Sequence, residues 1–142
     1  MDIIQSTIGF LENKRTAYEF DKENGAVFIK FTFGEYVAAL KIFEKESNLV
    51  FSTSFAFKIN IKMAREIIVA VNKVNSRIKF GKFVFSGGFV RYITVIPVGD
   101  KFNDKEVAFM LSASRSAAND YYQTFLDIGS GKLPLKDFLE SV

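Results

Sequence analysis

Apolar positions recur at helical spacing between Asp2 and Asn13, with Ile4, Ile8 and Leu11 on one side. Gly9 falls inside this segment and costs about 1 kcal/mol relative to alanine, so docking on the rest of the chain has to hold the helix. From Tyr18 to Phe57 the period drops to two. Asn24-Gly25 is a strong hairpin signal that pairs Phe20 with Ile29 and Tyr18 with Phe31. Gly34-Glu35 suits a type II′ turn pairing Phe33 with Tyr36, Phe31 with Ala38 and Ile29 with Leu40. Both turns, read independently, place Ile29, Phe31 and Phe33 on one face. A polar loop at Glu44 to Asn48 leads to a fourth strand, where Leu49, Phe51, Phe55 and Phe57 alternate with small or polar residues.

The period then returns to helical over Ile59 to Ile78. Ile61, Ala64, Ile67, Ile68, Val71, Val74 and Ile78 share one arc, joined by Asn75, with Lys62, Arg65, Glu66, Lys73, Ser76 and Arg77 opposite. Asn60 is placed to cap this helix. A buried Asn75 amide requires partners, which a backbone group near the helix-to-strand junction would supply; a polar anchor in a ligand pocket is the functional alternative. Gly87-Gly88 can both take positive φ, as a type I′ turn requires, pairing Phe85 with Val90 and Phe83 with Tyr92. Lys82, Val84, Arg91 and Ile93 fall on the other side of that hairpin. Asn103 and Glu106 have capping-box spacing. They open a last long helix, with Val107, Met110, Leu111, Ala117, Ala118, Tyr121 and Phe125 inward and Gly129 as C-cap. Leu133 to Leu139 folds back as a final helical turn. The expectation is one α+β domain over residues 1–142, with helices on an antiparallel sheet of about six strands in the order α-β-β-β-β-α-β-β-α.

Composition narrows the chemistry. The chain has neither histidine nor cysteine, which removes the commonest general base, thiol nucleophiles and the commonest transition-metal ligands; no metal and no cofactor is expected. Gly129-Ser130-Gly131-Lys132 lacks the spacing, the hydroxyl after lysine and the strand-to-helix setting of a phosphate loop. Ser112, Ser114 and Ser116 have no histidine to activate them. Glu44 and Glu46 sit in a solvated turn, where nothing raises a carboxyl pKa. Asp2 stands where a signal peptide carries positive charge and no apolar run reaches 18 residues, so a cytoplasmic protein with no membrane span is expected.

Net charge is +3 and unevenly spread: −2 over residues 1–48, +7 over 49–101 and −2 over 102–142. Two surfaces follow. The first is the basic stripe Lys62, Lys73 and Arg77, within the basic 58–101 segment. It is either a solvated helix face or a phosphate-backbone contact of a nucleic-acid-binding module. The second is the sheet face away from the aromatic core, centred on Phe28, Lys30, Val37, Ala39, Lys41 and Val50, with Thr32, Ser52 and Ser54. Glu19 is expected opposite Lys30 there. This face is too apolar to be simply solvated and too lysine-rich to lie under a helix of the same chain. It fits a protein contact, with a homodimer as the simplest case.

The run Asn72-x-x-Asn75-x-x-Ile78-x-Phe80-Gly81-Lys82-Phe83, followed by a hairpin and an alanine-rich last helix, resembles the YbjN-type family of bacterial sensory transduction regulators. Their fold is similar to that of type III secretion chaperones. The resemblance covers nearly the whole chain in element order and is sharpest over residues 72–85. It implies a non-enzymatic module acting by protein contact, regulatory or chaperone-like, without a known cofactor. The motif residues themselves read as structural, with Gly81 admitting a bend and Phe80 and Phe83 filling the core. Nucleic-acid binding is the alternative, and a pocket binder or enzyme of unknown substrate the second.

Overall fold

The computed structural model describes residues 2–141. Helix α1 (Ile3–Asn13) starts where the Asp2 carboxylate accepts from the Ile4 and Gln5 amides, both at 3.1 Å. Such a cap satisfies donors the first turn would otherwise leave unpaired. Ile4, Ile8 and Leu11 are buried together with Ile3 and Phe10. Strands β1 (Glu19–Asp21), β2 (Ala26–Phe33), β3 (Tyr36–Lys45) and β4 (Asn48–Phe55) precede helix α2 (Ala64–Asn75). They are followed by β5 (Lys82–Ser86), β6 (Phe89–Pro97), the long helix α3 (Asp104–Gly129) and a short α4 (Leu135–Glu140). The six strands form one antiparallel sheet in the order β1-β2-β3-β4-β6-β5. The predicted α+β order holds, with the final turn present as α4.

Turn chemistry sets most of the register. At Gly34 φ is +60°, and β2 pairs with β3 as the turn predicts, Phe33 with Tyr36 and Ile29 with Leu40. Gly87 and Gly88 both have positive φ, and Phe85 meets Val90 while Phe83 meets Tyr92. The first hairpin differs. Phe20 pairs with Val27, not Ile29, and Glu19 with Phe28, not Lys30. The cause is Asp21, whose carboxylate accepts from the Asn24 amide at 3.2 Å and the Asn24 side chain at 2.7 Å. This local bond closes a longer loop in place of a two-residue turn. The slip is two residues, so every side chain keeps its face. Between β3 and β4 the polar loop is tighter than expected, with only Glu46 and Ser47 outside the strands, both at positive φ (51° and 63°).

Helix α2 buries Ile67, Ala70, Val71 and Val74. Two residues of the predicted arc do not join them: Ile61 is 87% exposed and Ile68 is 48% exposed. Residues Ile61–Met63 form a 3-10 turn, capped by Asn60 through the Lys62 amide at 2.9 Å. Its tighter winding carries Ile61 off the stripe. Asn75 has the junction role. Its amide nitrogen donates to the Phe83 carbonyl and its oxygen accepts from the Phe83 N–H, both at 2.8 Å. The side chain therefore stands in for a neighbouring strand along the outer edge of β5, an edge that would otherwise be open to pairing.

Helix α3 packs its buried Tyr122 and Phe125 on the sheet beside Phe55 and Phe83. Ring centroids there are 5.0 Å apart for Phe55–Tyr122 and 5.1 Å for Phe83–Phe125, within the range that favours tilted aromatic pairs. Asn103 caps α3 through the Glu106 amide at 3.1 Å. Phe83 is core, but Phe80 is 54% exposed and meets Phe109 edge-on at 5.0 Å, so it does not fill the core as predicted. Gly81 has φ +70° and a side chain there would strike the Tyr92 ring at 2.6 Å. Gly129 lies inside α3 and not after it; a side chain there would collide with Ile59. Glycine at 129 is required by close packing, and Gly131 supplies the positive φ after the helix. Thr53, Thr94 and Ser114 are buried with no partner for their hydroxyls.

Candidate functional site

The helices lie against one side of the sheet, through contacts of α1 with β2 and β3, α3 with β3, β4 and β6, and α2 with β5. The opposite side is open, and pairing fixes which residues share a row across it. One row runs Glu19, Phe28, Lys41, Ser52, Ile93 and Lys82. The next runs Lys30, Ala39, Ser54, Arg91 and Val84. On the other flank of the first, Phe43, Val50 and Val95 form a third row, with Asp21 and Ala26 at the β1 side.

The six predicted contact residues Phe28, Lys30, Val37, Ala39, Lys41 and Val50 are therefore neighbours on this one face. Phe28, Val37 and Val50 are half-buried, and Lys30, Ala39 and Lys41 are exposed. Tyr18, Glu19, Phe28, Lys30, Val37 and Ala39 line a shallow groove at the β1 side. The face is wider than the sequence reading placed it. Phe43, Val84, Ile93 and Val95 extend its apolar part, Val95 being 47% exposed. The alternation in residues 82–93 had already grouped Lys82, Val84, Arg91 and Ile93. What joins that group to the rest is the pairing of β4 with β6, which no turn announces.

Charge on the face is polarised across the strands. Glu19 and Asp21 stand on β1, Lys30 and Lys41 on β2 and β3, Lys82 and Arg91 on β5 and β6. Hydrogen bonds from Asn24 hold the Asp21 carboxyl below the usual carboxylate range, so it stays ionised. The Lys41 ammonium sits 4.9 Å from the centre of the Phe43 ring, and the Arg91 guanidinium donates to the Ser86 carbonyl at 2.9 Å. The cations thus lie along apolar surface with their charge still presented to solvent.

The basic stripe is less continuous. Lys62 lies in the 3-10 turn, Lys73 is half-buried in the last turn of α2, and Arg77 is exposed beyond the helix end. Glu66 falls on the same side between Lys62 and Lys73. Asn72 is exposed and Asn75 is committed to Phe83. Among the described residues no cluster of acidic side chains has the makings of a metal site, and no helix is long and apolar enough to cross a membrane.

Fold and open face together describe an α+β domain with a helix layer on one side of its sheet and an open face carrying charged residues on the other. By sequence the chain belongs to the YbjN family, described as "Putative bacterial sensory transduction regulator", which it matches over residues 8–127. The fold is also similar to a solved structure from E. coli, "YbjN, a putative transcription regulator", with a TM-score of 0.64 at 10% identity, covering 84% of this chain and 92% of that one. No curated protein matches the chain.

Proposed function

We propose that the chain is a non-enzymatic regulatory module that acts by binding protein through the open face of its sheet, self-association included. The observation that carries this is the face itself. Phe43, Val50 and Val95 share one row and Phe28 and Ile93 the next, with Lys41 between the latter two and Lys30, Lys82 and Arg91 around them, and among the described residues no helix packs on this side. An apolar centre with a charged rim is the anatomy of a protein contact, and a patch of this kind left in water promotes aggregation. The family's description as sensory regulators, and the neighbour's as a transcription regulator, are in keeping with a module that signals by contact. A chaperone-like role would use the same surface. The reading places the protein in the cytoplasm, with no cofactor.

Photo-cross-linking tests it. A photo-reactive amino acid at Val50, and as a control at Ser116 on the exposed side of α3, is introduced into the chain in its source bacterium. A discrete adduct at Val50 that Ser116 does not give is the expected result. Equal, diffuse labelling at both positions overturns the proposal. The nucleic-acid alternative predicts steeply salt-dependent binding of DNA or RNA that is lost on charge reversal at Lys62, Lys73 and Arg77.

A further inference from the structure

The open face is self-complementary, and we infer that its partner is a second copy of this chain, packed face to face about a two-fold axis parallel to the strands. This rests on the proposal that the face is a docking surface, and adds what docks there and in which orientation.

The strand order decides the orientation. A two-fold axis running along the strands between β3 and β4 lays β1 of one copy over β5 of the other, β2 over β6 and β3 over β4. Each row of side chains then meets its own row, reversed. In the central row Glu19 faces Lys82, Phe28 faces Ile93, and Lys41 faces the hydroxyl of Ser52. In the third row Phe43 faces Val50. In the second row Ala39 faces Ser54, two small residues that let the sheets approach. Apolar side chains meet on either side of the Lys41–Ser52 contact at the centre, and the acidic β1 edge meets the basic β5 edge.

The alternative two-fold, perpendicular to the strands, lays each strand over itself. It sets the acids of β1 against acids and the cations of β5 and β6 against cations, at a cost in like-charge repulsion. Aligned sheets meet at about −30°, which moves partners at the outer strands by about one residue pair. Glu19 and Asp21 still lie over the Lys82 edge after that rotation.

Two oppositions are unfavourable: Lys41 comes under the partner with only the Ser52 hydroxyl to meet its charge, and a like-charge pair falls in the second row. Lys30 faces Arg91, whose guanidinium is turned aside to the Ser86 carbonyl. That flaw supplies a discriminating test. Lys30→Glu and Lys82→Glu change net charge by the same amount, yet the geometry assigns them opposite effects. Lys30→Glu replaces a repulsion with an attraction to Arg91, and Lys82→Glu does the reverse to Glu19.

Each contact occurs twice in a two-fold dimer. A reversal at a partly exposed pair should therefore shift the dimer dissociation constant about tenfold. Sedimentation equilibrium at low salt is expected to show a dimer for the wild type at about 100 µM, well above the dissociation constant of a standard-sized contact. It should be about tenfold tighter in Lys30→Glu and about tenfold weaker in Glu19→Lys and in Lys82→Glu. The double variant Glu19→Lys/Lys82→Glu should return to near the wild-type value. All three substituted positions are exposed, and unchanged melting curves will show that folding is intact.

A wild type that is monomeric at this concentration overturns the inference, as does a Lys30→Glu variant that weakens in step with Lys82→Glu. If monomeric protein still gives a Val50 adduct with a different protein, only the self-association fails and the docking face stands. If it gives no adduct, both fail.

Discussion

Truncating Asn75 tests the edge clamp that the helix-to-strand motif builds. Asn75→Ala removes two hydrogen bonds of 2.8 Å and leaves both the N–H and the C=O of Phe83 facing a small cavity beside α2. Leaving a partly buried backbone group unpaired costs about 1–3 kcal/mol, so the pair comes to about 2–4 kcal/mol. That is a large share of the roughly 5–15 kcal/mol that holds a domain together, and for a chain of this length it lowers Tm by about 10 °C. Urea and thermal melts read the loss. Amide exchange reads its location, with the Phe83 N–H exchanging about a hundredfold faster than in the wild type. Asn75→Asp adds a pH signature. Only a protonated carboxyl can both accept from the Phe83 N–H and donate to its carbonyl, so its pKa in the fold is raised. Stability is then greatest at low pH, below the ordinary carboxyl pKa, and is lost as pH rises through the raised value. An Asn75→Ala chain within about 0.5 kcal/mol of wild type, a change typical of an unengaged surface site, would refute the clamp.

Three further outcomes follow from the interior and the turns. Thr53→Val removes a buried hydroxyl without a partner and should raise stability by about 1 kcal/mol in urea melts; a loss would mean the hydroxyl is bonded. Glu46→Asn with Ser47→Gly places residues suited to positive φ in the β3–β4 turn and should gain about 1–2 kcal/mol; no gain would mean the turn is not left-handed. Burial pushes the Tyr92 hydroxyl pKa up, and the hydroxyl donates to the Phe80 carbonyl at 2.6 Å. Its contribution is therefore full below pH about 10 and falls as pH rises beyond it. Alkaline titration should show Tyr92→Phe less stable at neutral pH and with a shallower loss above pH 10, and parallel curves would count against it.

What the sequence made legible was local. The Gly34-Glu35 and Gly87-Gly88 turns carry their geometry in two residues, and the strands they join paired as read. The Asn24-Gly25 hairpin slipped by two because one side-chain bond from Asp21 to Asn24 competed with the turn. Periodicity located α2 but not its burial. A helical wheel treats every apolar flank alike, whereas β5 is a five-residue edge strand too short to cover Ile61 and Ile68. The open face was visible as alternation on β2 and β3, since those positions follow from the turns. Its other half on β5 and β6 was legible as a pattern but not as part of the same surface. Nothing local encodes that β6 returns across α2 to lie against β4.

On the proposed function the open sheet face is a contact surface, neither core nor bare solvent-exposed sheet. Val37 is the position that separates these, because it is half-buried and its row ends at the β2–β3 turn. The measurement is Val37→Glu placed in the chain carrying the photo-reactive residue at Val50, with adduct yield and melting temperature read on the same preparation. Adduct yield is predicted to fall at least about tenfold, the effect of burying an unpaired charge in a contact, while Tm moves by no more than about 3 °C, as for a side chain outside the core. An undiminished adduct, or a chain that no longer melts cooperatively, would contradict the account.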